Sequence, residues 1–122
     1  MEQNLKELLL KDLCARLPYG VKMTDGVDIY RLTSQFLYKY IEMELKPYLR
    51  PMSSMTEEEI KEFQAFHCVN GLHPYFYQQM CNLQNLENMI DWLNAHHFDY
   101  RNLIGLGLAL EAPDDIYNLK EE

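Results

Sequence analysis

The apolar period of this chain changes at Pro18, and that change limits its fold more than any other feature. Up to that point Leu5, Leu9, Leu10, Leu13 and Leu17 recur at three- and four-residue intervals, with Lys6, Glu7, Lys11 and Asp12 off the stripe. This spacing predicts a helix over 2–17. Pro18 stops it, because the residue before a proline is pushed out of the helical region, and Tyr19-Gly20 turns the chain. From Val21 the period is two. Asp25-Gly26, set between Val21-Lys22-Met23 and Val27-Asp28-Ile29-Tyr30, is a strong hairpin signal. Val27, Ile29 and Arg31 alternate with Asp28, Tyr30 and Leu32, as in a half-buried strand.

Residues 34–45 read two ways. Phe36, Tyr38 and Tyr40 alternate with Leu37, Lys39 and Ile41, whereas Leu37, Ile41 and Leu45 also fit a helical stripe. Aromatic density and the neighbouring hairpin favour a strand. Leu45–Met52, with Pro47 and Pro51, then suits an edge strand or an extended exit. Ser53-Ser54-Met55 is a linker. Thr56 and Glu59 form a capping box, Met55 and Ile60 a hydrophobic staple, and Glu57, Glu58 and Glu59 favour the helix dipole. Ile60, Phe63 and either Phe66 or His67 are expected to face the core, with Gly71 breaking the pattern. Residues 72–84 suit either a short helix opened by Pro74, with Tyr75, Phe76, Tyr77 and Met80 around it, or an aromatic loop.

The C-terminal stretch is a helix, a corner, a shorter helix and a stop. Leu86, Met89, Ile90 and Leu93 form a stripe anchored by Trp92, the single tryptophan. Asp99 suits the N-cap of a helix from Tyr100 to Leu106, with Gly107 left-handed past its end and Leu108 folding back on Leu103. Pro113 forbids continuation. The expected fold is α+β: an N-terminal helix, a small antiparallel sheet of three or four strands, and C-terminal helices packed on it. A length of 122 residues suits a single domain, with 1–52 as helix plus sheet and 53–122 as an acidic helical part.

Charge and cysteines narrow the function classes. The net charge is −8, which argues against binding phosphates or an anionic membrane directly. Residues 1–50 carry eight Lys and Arg against seven Asp and Glu, and residues 51–122 carry three against twelve. Three cysteines at unpatterned spacing (Cys14, Cys68, Cys81) point to reduced thiols and a cytoplasmic protein. No leader segment or bilayer-length apolar run is visible.

Three stretches, Leu13-Cys14-Ala15-Arg16-Leu17-Pro18-Tyr19-Gly20-Val21-Lys22, then Lys46-Pro47-Tyr48-Leu49-Arg50-Pro51-Met52-Ser53-Ser54-Met55-Thr56-Glu57-Glu58-Glu59, then Ile90 to Pro113, together resemble a family of small uncharacterised proteins encoded by gut bacteria, their phages and other mobile elements. The matching segments take in 48 of the 122 residues; residues 23–44 and 68–85 fall outside them. The resemblance implies a small sheet after the first helix and helices at the C-terminus. It implies no activity, so no functional residue is carried over.

Several constellations compete with plain structural roles. His96-His97 with Asp99 has the ligand types of a zinc or iron site, but adjacent helical residues point about 100° apart, and Asp99 is needed as a cap. His67-Cys68 with His73 and Cys81 matches no zinc-finger spacing. Cys–His pairs and the carboxylates Glu87 and Asp91 carry no supporting pocket signal, and Gly105-Leu106-Gly107 follows a helix rather than opening one. Nine tyrosines carry more weight, because tyrosine is favoured at interfaces. The expectation is a non-enzymatic protein-interaction factor of phage or mobile-element origin, without cofactor, binding a protein partner through Tyr30, Tyr38 and Tyr40. A second reading is an acidic decoy that imitates a phosphate array with Glu57, Glu58, Glu62, Glu87, Asp91, Asp114 and Asp115. A third is a metal-dependent enzyme using His96, His97 and Asp99. The oligomeric state stays open.

Overall fold

In the computed structural model, which describes residues 2–65, 86–113 and 116–117, helix α1 (Gln3–Arg16) runs as its leucine spacing dictates and ends ahead of Pro18. The expectations for Phe66, His67, Cys68, Gly71, 72–84, Asp114 and Asp115 lie outside the described residues. Leu9 and Leu13 are fully buried, while Leu5, Leu8, Leu10 and Leu17 pack around them. Asp12, off the leucine stripe, is nonetheless fully buried, as is Arg16 one turn later. A single 3-10 turn (Leu17–Tyr19) leads to left-handed Gly20, φ 68°.

The hairpin forms, with shorter strands and a longer loop than the alternation suggests. Strands β1 (Lys22–Thr24) and β2 (Ile29–Arg31) pair antiparallel, Thr24 opposite Ile29. Asp25 closes the loop by accepting the amides of Val27 and Asp28, each at 2.8 Å. Gly26, at φ 100°, donates to Thr24 Oγ1 at 2.9 Å. Val27 therefore belongs to the loop.

Residues 34–45 are not a strand. A 3-10 turn (Ser34–Phe36) runs into helix α2 (Leu37–Glu42). Leu37 and Ile41, one turn apart, are buried in the core and Leu45 follows them. Seating those three aliphatic side chains outweighs the aromatic alternation, which a strand would have spread along one face.

Strand β3 (Lys46–Leu49) lies inside the sheet rather than at its edge; the strand order is β2-β1-β3-β4, with β4 at Leu110–Glu111. β4 runs parallel to β3, so the sheet is mixed instead of purely antiparallel. Pro47 is tolerated there because β4 reaches only Tyr48 and Leu49, leaving no ladder neighbour beside the proline on that side. The core joins α1, the sheet and α2 to Leu103, Leu108 and Ala109 from the far end of the chain.

Helix α3 (Glu57–Ala65) starts as its capping box requires: Thr56 Oγ1 accepts the Glu59 amide at 3.1 Å, and Glu59 Oε1 accepts the Thr56 amide at 2.9 Å. Ile60 is 41% exposed, so the staple with Met55 does not bury it, and Glu59 takes the inward position. The reason is Arg50, whose buried guanidinium forks onto Glu59 at 2.6 and 2.8 Å.

Residues 86–95 form helix α4. Leu93 is buried, but Leu86 is exposed and Trp92 is half-buried. The fully buried ring is Phe98, against which Trp92 stacks with centroids 5.7 Å apart. The expected helix over 100–106 is absent: Asn102 is left-handed, φ 61°, which breaks any helical run through it. Asp99 still caps, accepting the amides of Leu103 and Ile104 at 2.8 and 2.9 Å, but what it caps is a single turn over 103–107.

Three ends share one device. Glu44, His97 and Gly107 are left-handed, at φ 58°, 64° and 79°. In each case the next amide reaches back five residues: Leu45 to Tyr40 O, Phe98 to Leu93 O, Leu108 to Leu103 O, all within 2.9–3.0 Å. Each of those following residues is buried, so the cap also folds an apolar side chain inward.

Candidate protein-interaction surface

Tyr30 and Tyr40 meet although they sit on different elements. Tyr30 lies on β2 and Tyr40 on α2, with centroids 5.8 Å apart at 41°. Phe36 continues the row, 5.8 Å from Tyr40 at 24°, and Lys39 Nζ lies 5.8 Å above the Phe36 ring. The helix turns Tyr38 away from this pair, leaving it 69% exposed. Two of the three anticipated tyrosines are therefore brought together and the third flanks them. Tyr30 Oη donates to Asp25 Oδ2 at 3.3 Å. The Asp25 charge raises the Tyr30 hydroxyl above its ordinary value, while the amides of Asp28 and Val27 hold the Asp25 carboxyl below its own.

Sequence reasoning missed how much apolar surface this stretch of chain exposes. Val27 is 86% exposed, Met43 57%, Ile29 54% and Phe36 38%, all within 27–43. The i, i+4 spacing of Phe36 and Tyr40 could have signalled the second ring contact had the segment been read as a helix. β2 is also an edge of the sheet.

His96, His97 and Asp99 do not converge. His96 stacks on Trp92, centroids 4.2 Å apart, with Nδ1 2.8 Å from the Trp92 carbonyl. His97 lies flat on Tyr117, centroids 3.8 Å apart, and burial pushes its pKa down to about 4, reinforced by the charges of Arg16, His96, Arg50 and Lys22. Asp99 spends both oxygens on the turn. Among the described residues no three His, Cys, Asp or Glu side chains are grouped as a metal would require. Tyr117 is itself anchored, accepting the Lys22 amide at 2.9 Å and donating to Tyr48 O at 2.7 Å. Burial pushes its hydroxyl up to about 12.

The carboxylates divide into two groups. Glu57, Glu58, Glu62, Glu87 and Asp91 are exposed. Glu59, Asp12 and Asp99 are internal, with Asp12 meeting both Arg16 and Arg101. The Arg50 hydrogen bonds and charge and the Thr56 amide hold Glu59 below the usual carboxylate range, although burial alone pushes it up. No helix of the described residues is long and apolar enough to cross a membrane. Neither a family model, nor a curated protein, nor a solved structure matches this chain.

Proposed function

We propose that the chain is a non-enzymatic protein-interaction factor, of the mobile-element origin its sequence resemblance implies, and that it engages its partner through the 27–43 surface. One observation carries this reading. Of the ten large apolar residues exposed among the described residues, five fall within the single stretch 27–43, and Phe36 among them joins the Tyr30–Tyr40 ring row, the kind of exposed apolar surface that marks an interaction site. Tyr30, Tyr40 and Phe36 already hold one another, so docking on them sacrifices little side-chain freedom. Tyr38 supplies a projecting ring with a polar tip. The acidic-decoy reading has less support, because its described carboxylates Glu57, Glu58, Glu62, Glu87 and Asp91, though exposed, are divided between α3 and α4.

The test is affinity purification of the tagged protein from its native cells at about 50 and about 500 mM salt, a range over which screening suppresses exposed charge pairs. A genuine partner is retained at high salt and lost from a Phe36→Ser/Tyr38→Ser variant that melts like wild type. A partner that leaves at high salt and ignores that variant would overturn the proposal in favour of the decoy.

A further inference from the structure

Side chains alternate along a strand and directly paired residues share a face, so the register places Lys22, Thr24, Ile29, Arg31 and Lys46 on one face of the sheet. Met23, Tyr30 and Pro47 occupy the other, which carries the core. Arg31 stands directly opposite Lys22, and Lys46 opposite Thr24. Like charges directly across a ladder destabilise it, and this cationic face belongs to a chain of net charge −8. Lys22 is answered by the Ile116 carbonyl, 2.8 Å from Nζ, and by the Tyr117 ring. Neither brings a negative charge.

Arg31 differs from the other three arginines. Arg16, Arg50 and Arg101 each hydrogen-bond a carboxylate; Arg31 makes no hydrogen bond or ion pair among the described residues. It is nevertheless held in place. A methyl group built on left-handed Gly20 would stand 3.2 Å from Arg31 Nη2 and 3.3 Å from Nε, so the guanidinium lies against bare glycine backbone. There it walls an open depression with Leu17, Pro18, Leu32, Thr33 and Ser34.

We propose that this depression seats an acidic side chain of an extended partner peptide, its carboxylate received by Arg31 and its apolar neighbours covering Leu17 and Pro18. A planar guanidinium matches a carboxylate with two parallel hydrogen bonds, and Lys22 and Lys46 reinforce the attraction across the same face. The inference rests on the reading of 27–43 as an interface, which Arg31 would extend from the edge strand β2 onto the sheet face opposite Tyr30.

A yeast-displayed random heptapeptide library is selected on the purified full chain, on Arg31→Gln, on Arg31→Lys and on Phe36→Ser/Tyr38→Ser, each first shown to melt cooperatively. Wild type enriches peptides with Asp or Glu at one fixed position; their affinity falls about tenfold on Arg31→Gln, the usual scale for losing a charge-assisted contact, and less on Arg31→Lys. Acidic enrichment that persists on Arg31→Gln, or enrichment with no acidic preference but dependence on Phe36 and Tyr38, would overturn the carboxylate seat and leave the interface standing. No enrichment on any chain would overturn both. Tight binding of fluorescein-labelled oligothymidylate that Arg31→Gln abolishes would reassign the depression to phosphate.

Discussion

Arg16 is the largest fully buried side chain among the described residues. It is held by Asp12 at 2.7 and 3.2 Å and by the Phe98 carbonyl at 2.8 Å, which ties the first helix to the corner after α4. Removing one partner of a buried pair strands the other charge, so Asp12→Ala should cost roughly 3–5 kcal/mol in urea unfolding, and Asp12→Leu with Arg16→Met far less. A double variant as damaged as the single one would mean the bonds themselves, not the stranded charge, carry the loss. His97 gives a pH signature. Its folded pKa of about 4 lies below the ordinary 6.5, so the unfolded chain binds the extra proton first. Its contribution is complete above pH 6.5 and drains away as pH falls toward 4, by roughly 3 kcal/mol in all. Thermal melts from pH 7 to 4 should therefore fall more steeply for wild type than for His97→Asn, which keeps a residue tolerant of the left-handed backbone. Parallel slopes would remove His97 as the cause.

Helix starts and stops were the most legible elements, because their chemistry is local. Thr56 with Glu59, and Gly107 with Leu108, could be read from a few residues and stand as read. Thr56→Ala should lose about 1 kcal/mol. Glu59→Gln should lose more, since it also leaves Arg50 unneutralised. Gly107→Ala isolates the backbone term: nothing lies within 4 Å of the added methyl, so the expected loss of about 1–2 kcal/mol is that of a left-handed alanine. Denaturant midpoints check all three, and a silent Gly107→Ala would show that the turn re-forms without its left-handed residue. Residues 34–45 were misread because aromatic density reports a half-buried setting without saying which backbone provides it. Asp12 lies off the leucine stripe, where a polar residue reads as solvent-facing; only Phe98 and Arg101, far along the chain, draw it and Arg16 inside.

At the scale of the molecule, what the sequence hid is everything that pairs distant segments. The candidate surface shows both sides of this: Tyr30 and Tyr40 were legible as residue types, but their contact depends on how α2 packs against β2, and Arg31 stood out only once the other arginines were seen to be paired. Tyr117 likewise links β1 to β3 from the far end of the chain. Tyr117→Phe removes both links and should lower stability by about 1–3 kcal/mol in chemical unfolding. An unchanged midpoint would show that ring stacking on His97 alone secures that end. The parallel pairing of β3 with β4 has a consequence for synthesis. β3 is made early, whereas the strand that covers its open side, opposite Tyr48 and Leu49, is made more than half the chain later. At about 5–20 residues per second, that side stays bare for several seconds on every ribosome, offering unpaired amides and carbonyls to any neighbouring nascent chain. The short ladder, Pro47 beside it and the charged Arg50 at its end are the features that would keep such a transient edge from recruiting a stranger.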